Sequence, residues 1–479
     1  MPVQRVTSGE LTDVTEQTYE IFSKRRSVFL IYSSSAVLGC SIALFGALST
    51  WIQSELKLSQ TEAGFTQAVF FLGHLSGALL SGMTLSRWPL NRSWLFAVCC
   101  TMLGSFLCGS PSYALILCGR FLAGMGLSST IILGTRTLGE LFPNSSARAL
   151  NLLHALIAAT AALTFMTARQ LAEAVDSWEC SFLVTGLIAL IPVSMAIFLP
   201  LKLNDFKPVS DELTEDSVDT GVKEPLKKSR WLGIDVLVLF PVVVGYVALE
   251  QSMSLFLPAS VETRFGMSGS TAANMGALFW FGIILGRVTS SFLVEWIAEK
   301  RQFFWGAILM GVTLLLSLHI QNYPLMQVFV FLGGLFGGPL VPLGFATAAK
   351  QARHQGAQAL IACQLSCCLG GITGPFGVGL LADNVGLVNS LSTYCALIII
   401  AVLPLLFLMA SSWLSWETVQ RLLASTYKPL KSRSYEPVRP SQDRLTGYDQ
   451  QAEPSTLSSH LRTHLPCEEE YASTSVTKC

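Results

Sequence analysis

Charge is what this chain has least of: only 13% of its 479 residues are Asp, Glu, Lys or Arg, split evenly between 31 acids and 31 bases. So thin and balanced a supply gives no concentrated basic face, and no nucleic-acid partner is expected. An HExxH zinc helix, a GxSxG nucleophile elbow and a spaced pair of acids are also missing, so no enzyme is expected. The cysteines carry no metal signature, because Cys99/Cys100 and Cys367/Cys368 are adjacent and lack spaced Cys or His partners. Cys40, Cys108, Cys118, Cys363 and Cys395, like those pairs, lie in apolar runs, where cysteine packs as a small hydrophobe. Neither a metal nor a cofactor is expected.

What the chain has is apolar length. Hydrophobic residues make up 51% of it and its mean hydropathy is +0.52, too high for an ordinary soluble protein of this size. Runs long enough to cross about 30 Å of hydrocarbon predict twelve helices. They fall at 28–50, 63–85, 94–110, 112–136, 149–171 and 180–201, then 233–257, 271–293, 303–320, 325–348, 357–381 and 391–413. The fold class is an all-α membrane protein.

Five segments follow: a polar N-terminal segment (1–27), a six-helix half (28–201), a linker (202–231), a second six-helix half (232–413) and a polar tail (414–479). The leader ends in Lys24, Arg25 and Arg26 ahead of an uninterrupted apolar run, which favours an uncleaved first span. With the N-terminus cytoplasmic, the inner loops hold Arg87, Arg92, Arg136, Arg148, Lys223, Lys227, Lys228, Arg230, Lys300, Arg301, Lys350 and Arg353. The outer loops hold only Lys57, Arg169 and Arg264, so both termini are placed in the cytoplasm by the positive-inside rule. Asn91 and Asn144 begin glycosylation sequons but fall in inner loops, where they should stay unused. The linker is long and charged, and the tail is too polar to bury a core, which suits cytoplasmic tail-binding proteins. The halves repeat one another: at an offset of 209, Ser59, Ala63, Ala68, Phe70, Gly73 and Gly77 match Ser268, Ala272, Ala277, Phe279, Gly282 and Gly286. Related halves with a site between them describe many secondary transporters.

In helix 4, Arg120, Gly124 and Gly126 lead on to Glu140, Phe142 and Pro143. On this spacing the chain resembles the major facilitator superfamily, whose fold has two pseudo-symmetric six-helix halves. Within it the chain looks most like the fucose and glucose permease branch. That likeness rests on Leu150, Asn151, Leu152, Leu153 and His154; on Tyr246, Val247 and Glu250; on Phe279, Trp280, Gly282, Gly286 and Arg287; and on Gly374, Pro375, Gly379, Leu380, Ala382 and Asp383. The resemblance implies a sugar:cation symporter. The chain departs from the proton-coupled fucose carriers in having no acid within 28–50 and Arg120 in helix 4. The second-loop signature keeps Gly82, Arg87 and Arg92 without its acid, and helix 5 lacks the glycines and proline that helix 11 retains.

Glu250 is the residue the rest must explain, since a carboxylate inside an apolar run is costly and functional by default. Predicted helix ends put Glu250 and Arg120 each about eight residues, hence roughly 12 Å, below the outer surface. Glu250 is then a titrating or ion-coordinating acid with Arg120 as charge partner or substrate-binding group; alternatively the two form a permanent ion pair that orders the bundle. His74 and His154 are candidate proton relays or packed hydrogen-bonding groups. Gln67, Gln251, Asn151, Asn274 and Gln364 offer donors and acceptors suited to sugar hydroxyls or to interhelical bonds. Trp280 and Tyr246, then Phe70, Phe71, Phe279 and Phe281, are candidate stacking surfaces for a pyranose. Arg136 and Arg287 near inner helix ends, with Glu140 and Glu295 as partners, read as a cytoplasmic latch that stabilises an outward-open state. The glycine runs Gly333, Gly334, Gly337, Gly338 with Pro339, and Gly370, Gly371, Gly374 with Pro375, permit close packing and bending.

The expectation is a secondary active transporter in the lipid bilayer of the plasma membrane, with an organelle membrane as the alternative. It moves a small polar solute, a monosaccharide first, by alternating access coupled to H+ or Na+. The competing readings are an uncoupled facilitator, an organic-anion carrier favoured if Arg120 lacks an acid partner, and a receptor or sensor on a transporter fold.

Overall fold

Hydrocarbon offers no partner to a free backbone N–H or C=O, so an apolar run that crosses it closes its own hydrogen bonds as a helix. The structure, a computed structural model, describes residues 8–84, 87–142, 145–198, 234–351 and 356–405. The linker at 202–231 and the tail from 414 lie outside the described residues.

The first half comprises α1 (Ser8–Leu56), α2 (Gln60–Thr84), α3 (Leu90–Cys108), α4 (Tyr113–Leu141), α5 (Ser146–Val175) and α6 (Glu179–Phe198). The second comprises α7 (Ile234–Phe265), α8 (Gly269–Leu293), α9 (Glu299–His319), α10 (Tyr323–Gly337), α11 (Leu340–Gln351) and α12 (Gly356–Val385), followed by α13 (Leu387–Leu405). Twelve helices among the described residues are long and apolar enough to cross a membrane, α10 and α11 together forming the tenth span. The fold is all-α, as expected.

Three spans differ from the hydropathy reading. Helix α1 starts at Ser8, within the polar leader, because a helix can run on past the apolar stretch into a polar setting. The seventh span continues past 257 through Pro258 to Phe265. The tenth breaks between Gly337 and Leu340, where Pro339 has no N–H to donate and its ring crowds the preceding turn.

The repeat seen in sequence recurs in packing. A Cβ on Gly73 would meet the carbonyl of Phe121, and one on Gly77 that of Met125; in the second half Gly282 and Gly286 stand in the same way against Phe331 and Leu335. The contact is reciprocal, since Gly124 lies on the carbonyl of Phe70 and Gly334 on that of Phe279. Thus α2 packs on α4 as α8 packs on α10, with backbones close enough that only glycine fits. The turns repeat as well: Lys57 (φ 53°) matches Gly266 (φ 60°), and Asp176 (φ 55°) matches Gly386 (φ 83°). These four left-handed residues close α1, α7, α5 and α12 on the face opposite the linker, called the far face below; the linker side is the near face.

Valine at Gly124 or at Gly334 must push backbone apart and should cost about 1–3 kcal/mol, read as a lower melting temperature of the detergent-solubilised protein. Alanine at Gly82 or Gly139, which have nothing within 4 Å of the added Cβ, should leave the melting temperature unchanged.

Candidate functional site

Glu250 sits midway along α7, 6% exposed. Its seat is made by glycines: Gly370 and Gly374 of α12 press on the backbone of Val244 and Ala248, so α12 lies directly against the turns of α7 that carry the acid. Tyr246, one turn earlier, donates its hydroxyl to Glu250 Oε1 at 2.8 Å, and Gln251 Nε2 donates to Oε2 at 3.5 Å. The cation nearest the carboxylate is Arg287, whose Nη2 lies 4.0 Å from Oε1. That guanidinium also donates to the carbonyl of Gly338 at the break before α11, and to the carbonyl of His154 on α5, both at 3.3 Å.

Arg120, only 1% exposed, is not the partner of Glu250. It donates to the carbonyl of Ser41 at 2.8 Å and to Gln67 Oε1, with its guanidinium carbon 4.2 Å from the ring centroid of Phe70 and 5.4 Å from that of Phe45. Gln67 then donates its amide to Gln251 Oε1 at 3.1 Å across the halves. The two charges expected to meet are joined instead through two amides, Arg120 to Gln67 to Gln251 to Glu250.

Beside this chain, His74 Nε2 and Gln364 Nε2 are 2.7 Å apart, a second bond between halves. His74 stacks on Phe71, centroids 5.8 Å apart, and Phe71 in turn fills the space left by Gly371. Trp280 is buried and donates its indole N–H to Ser254 at 3.0 Å. Phe70, Phe71 and Phe279 are buried, whereas Phe281 is exposed on the outer surface against Phe331. Asn274 and Asn151 are exposed, and His154 enters the cluster through its backbone carbonyl.

Arg136 pairs with Glu140 at 3.3 Å within α4, an i,i+4 pair that joins no halves, and Glu295 is exposed. Arg287 reaches Glu250 at 4.0 Å and also bonds across the halves to the carbonyl of His154.

Further bonds join the halves at the far face. Asp383 of α12 accepts from the backbone N–H of Gln60 and Thr61, at 3.1 and 3.0 Å, and from the Thr61 hydroxyl, so it caps α2 from the opposite half. Thr50 donates to Glu262 at 2.9 Å and accepts from Arg169 at 3.2 Å, and Arg169 lies against Gly269 at the start of α8. Ser41, Phe45 and Asp383's capping role were missed in sequence; a signal for the last existed, since Asp383 lies just before a turn with no basic residue near it in sequence.

The chain belongs to the major facilitator superfamily, whose profile it matches over residues 29–263 and 239–437. Members of that family are transporters and not enzymes. Among its relatives is the uncharacterized MFS-type transporter YcaD of Escherichia coli O6:K15:H31, 27% identical over 374 residues, covering 75% of this chain and 90% of the relative. Solved structures of similar fold include the nucleoside transporter NupG (TM-score 0.61, 11% identity, 81% of this chain and 99% of that one). A D-xylose-proton symporter (0.62, 16%, 80% and 97%) and an inward-facing, unoccupied bacterial homolog of the lysosomal transporter Spinster (0.61, 14%, 82% and 98%) are others. At these identities the likeness concerns the fold alone.

Removing the far-face cap by Asp383→Ala should cost about 1 kcal/mol of stability and favour separation of α2 from α12. Distances between spin labels placed on those two helices at the far face should lengthen; an unchanged distribution would show that the cap does not hold this state.

Proposed function

We propose that the protein is a secondary active transporter that moves a small polar solute of about monosaccharide size by alternating access, with the site between its halves at Glu250. The observation that carries this reading is the buried chain from Arg120 through Gln67 and Gln251 to Glu250 and Arg287. It crosses from one half to the other and back to His154, so any rocking of the halves must break and remake it. A ligand that supplies equivalent donors and acceptors lowers the cost of that exchange, which is the thermodynamic condition for coupling binding to movement.

The amides of Gln67, Gln251 and Gln364 suit hydroxyl groups, and the buried rings of Phe71, Trp280 and Tyr246 suit the apolar face of a ring. This is the composition of a sugar site, in keeping with the resemblance to the fucose and glucose permease branch. Glu250 is the coupling acid in this reading, loading H+ or Na+ as it exchanges its contact with Arg287, whose 4.0 Å length is loose for a structural ion pair. The far-face bonds of Asp383, Thr50 and Glu262 form the closed gate. The termini lie in the cytoplasm, on the distribution of basic loop residues, and the plasma membrane is taken as the site of action.

Proteoliposomes screened with sugars and organic acids under imposed proton or sodium gradients test the proposal. Accumulation should require one of the two gradients, and Glu250→Gln should abolish accumulation while leaving exchange of labelled for unlabelled solute. Concentrative uptake undiminished in that variant would sink Glu250 as the coupling group, and absence of flux for every solute would favour a receptor or sensor on the same fold.

A further inference from the structure

The centre of the molecule holds more positive charge than negative. Arg120 and Arg287 face a single described carboxylate, Glu250, and Glu250 is engaged by Tyr246, Gln251 and Arg287. Arg120 is left to neutral acceptors, a main-chain carbonyl and a side-chain amide. No described acid reaches it from any helix packed around it. On α1, Glu55 at the far end accepts from Trp178; on α2, Glu62 closes on Ser59; on α4, Glu140 is held by Arg136; and α3 presents Cys108, a thiol.

Donors are in surplus in the same place. The Arg120 Nε–H is buried without a partner, as is His74 Nδ1. A buried cation with unused N–H groups is strongly unfavourable unless something completes it, and the planar guanidinium fork matches a carboxylate. Rings on Phe45 and Phe70 hold the guanidinium in place, so it is rigid before a ligand arrives. Gln67 acts as the stand-in: its Oε1 occupies Arg120 while its Nε2 reaches Gln251 across the junction of the halves.

We propose that the transported solute is an organic anion, a hydroxylated carboxylate of sugar-acid size, whose carboxylate replaces Gln67 Oε1 on Arg120 while its hydroxyls bond to Gln67 and Gln251. This rests on the carrier reading above and deepens it by assigning the charge of the solute. A neutral sugar would leave the Arg120 charge as uncompensated as it is without ligand. The anion brings the missing negative charge, so the loaded site approaches neutrality with Glu250 ionised.

The test uses matched probes on the purified full-length protein: D-glucuronate against D-glucose and L-lactate against 1,2-propanediol, at equal ionic strength. At least one carboxylate should raise the melting temperature and pass into proteoliposomes while its neutral counterpart does neither. In Arg120→Gln the affinity for that carboxylate should fall about tenfold or more, as for loss of a charge-assisted hydrogen-bonding partner. Because deleting a buried arginine can unfold a bundle, Gln67→Glu provides a second arm of opposite sign. It supplies the absent carboxylate in place, so it should raise the melting temperature of the unliganded protein and abolish carboxylate binding. Flux of the neutral probes alone, or carboxylate binding unaltered in Gln67→Glu, overturns the anion assignment and leaves the carrier intact. Absence of flux for neutral and charged probes alike overturns the carrier reading and the anion assignment with it.

Discussion

The Gln67 amide faces two demands at once, because its carbonyl is needed by Arg120 in the first half and its N–H by Gln251 in the second. In hydrocarbon neither demand can be handed to water, and an unmet buried polar group costs far more than a hydrogen bond gains. The junction of the halves is therefore drawn together by a polar chain in which every bond is weak in net terms and every vacancy is expensive. Such a chain specifies a geometry without locking it. An amide can exchange one partner for another by rotation, where a tight ion pair would hold.

Close backbone approach is what lets this chain exist. Gly370 and Gly374 bring α12 onto α7, Gly124 and Gly73 bring α4 onto α2, and Gly334 and Gly282 repeat that contact in the second half. With larger residues the helix axes would separate, and Gln67 and Gln251 at 3.1 Å would lose each other. The halves also meet backbone to backbone, Gly46 on the carbonyl of Ser254, Gly64 on that of Pro375 and Gly379 on that of Gln60, and side-chain bonds add further joints. Those joints are at the far face, through Asp383, Thr50 and Ser49, and at the centre.

Much of the architecture was legible in sequence because hydrocarbon thickness sets a minimum apolar length, and the spans meet it. The offset repeat was legible for the same reason that its packing recurs: glycines at α2 and α8 answer identical backbone contacts. Hydropathy was silent on helix that runs beyond the apolar stretch, so the end of α7 was placed at 257 and not at Phe265. The partner found, Arg287, lay in the same stretch of sequence, yet a position toward the end of α8 suggested a surface role. Side chains as long as arginine cover several ångströms along a helix axis, and a one-dimensional reading cannot tell in which direction.

A carrier has to bind well in two arrangements of its halves and be trapped in neither, which limits how strongly its charges can be paired. A short, buried, bidentate pair between Glu250 and an arginine would resist every rearrangement, because separating it would strand two charges in a medium that solvates neither. The arrangement found avoids this. Glu250 has hydrogen-bond donors of its own on α7, Tyr246 and Gln251, which travel with it, and meets Arg287 only at 4.0 Å. Arg120 likewise carries its rings and its Ser41 carbonyl within the first half. Each charge keeps most of its stabilisation inside its own rigid body, and only the outermost contact, Gln67 to Gln251 or Arg287 to His154, is spent across the boundary. The separation of Arg120 from Glu250 is in that light the condition under which both can stay charged, buried and movable.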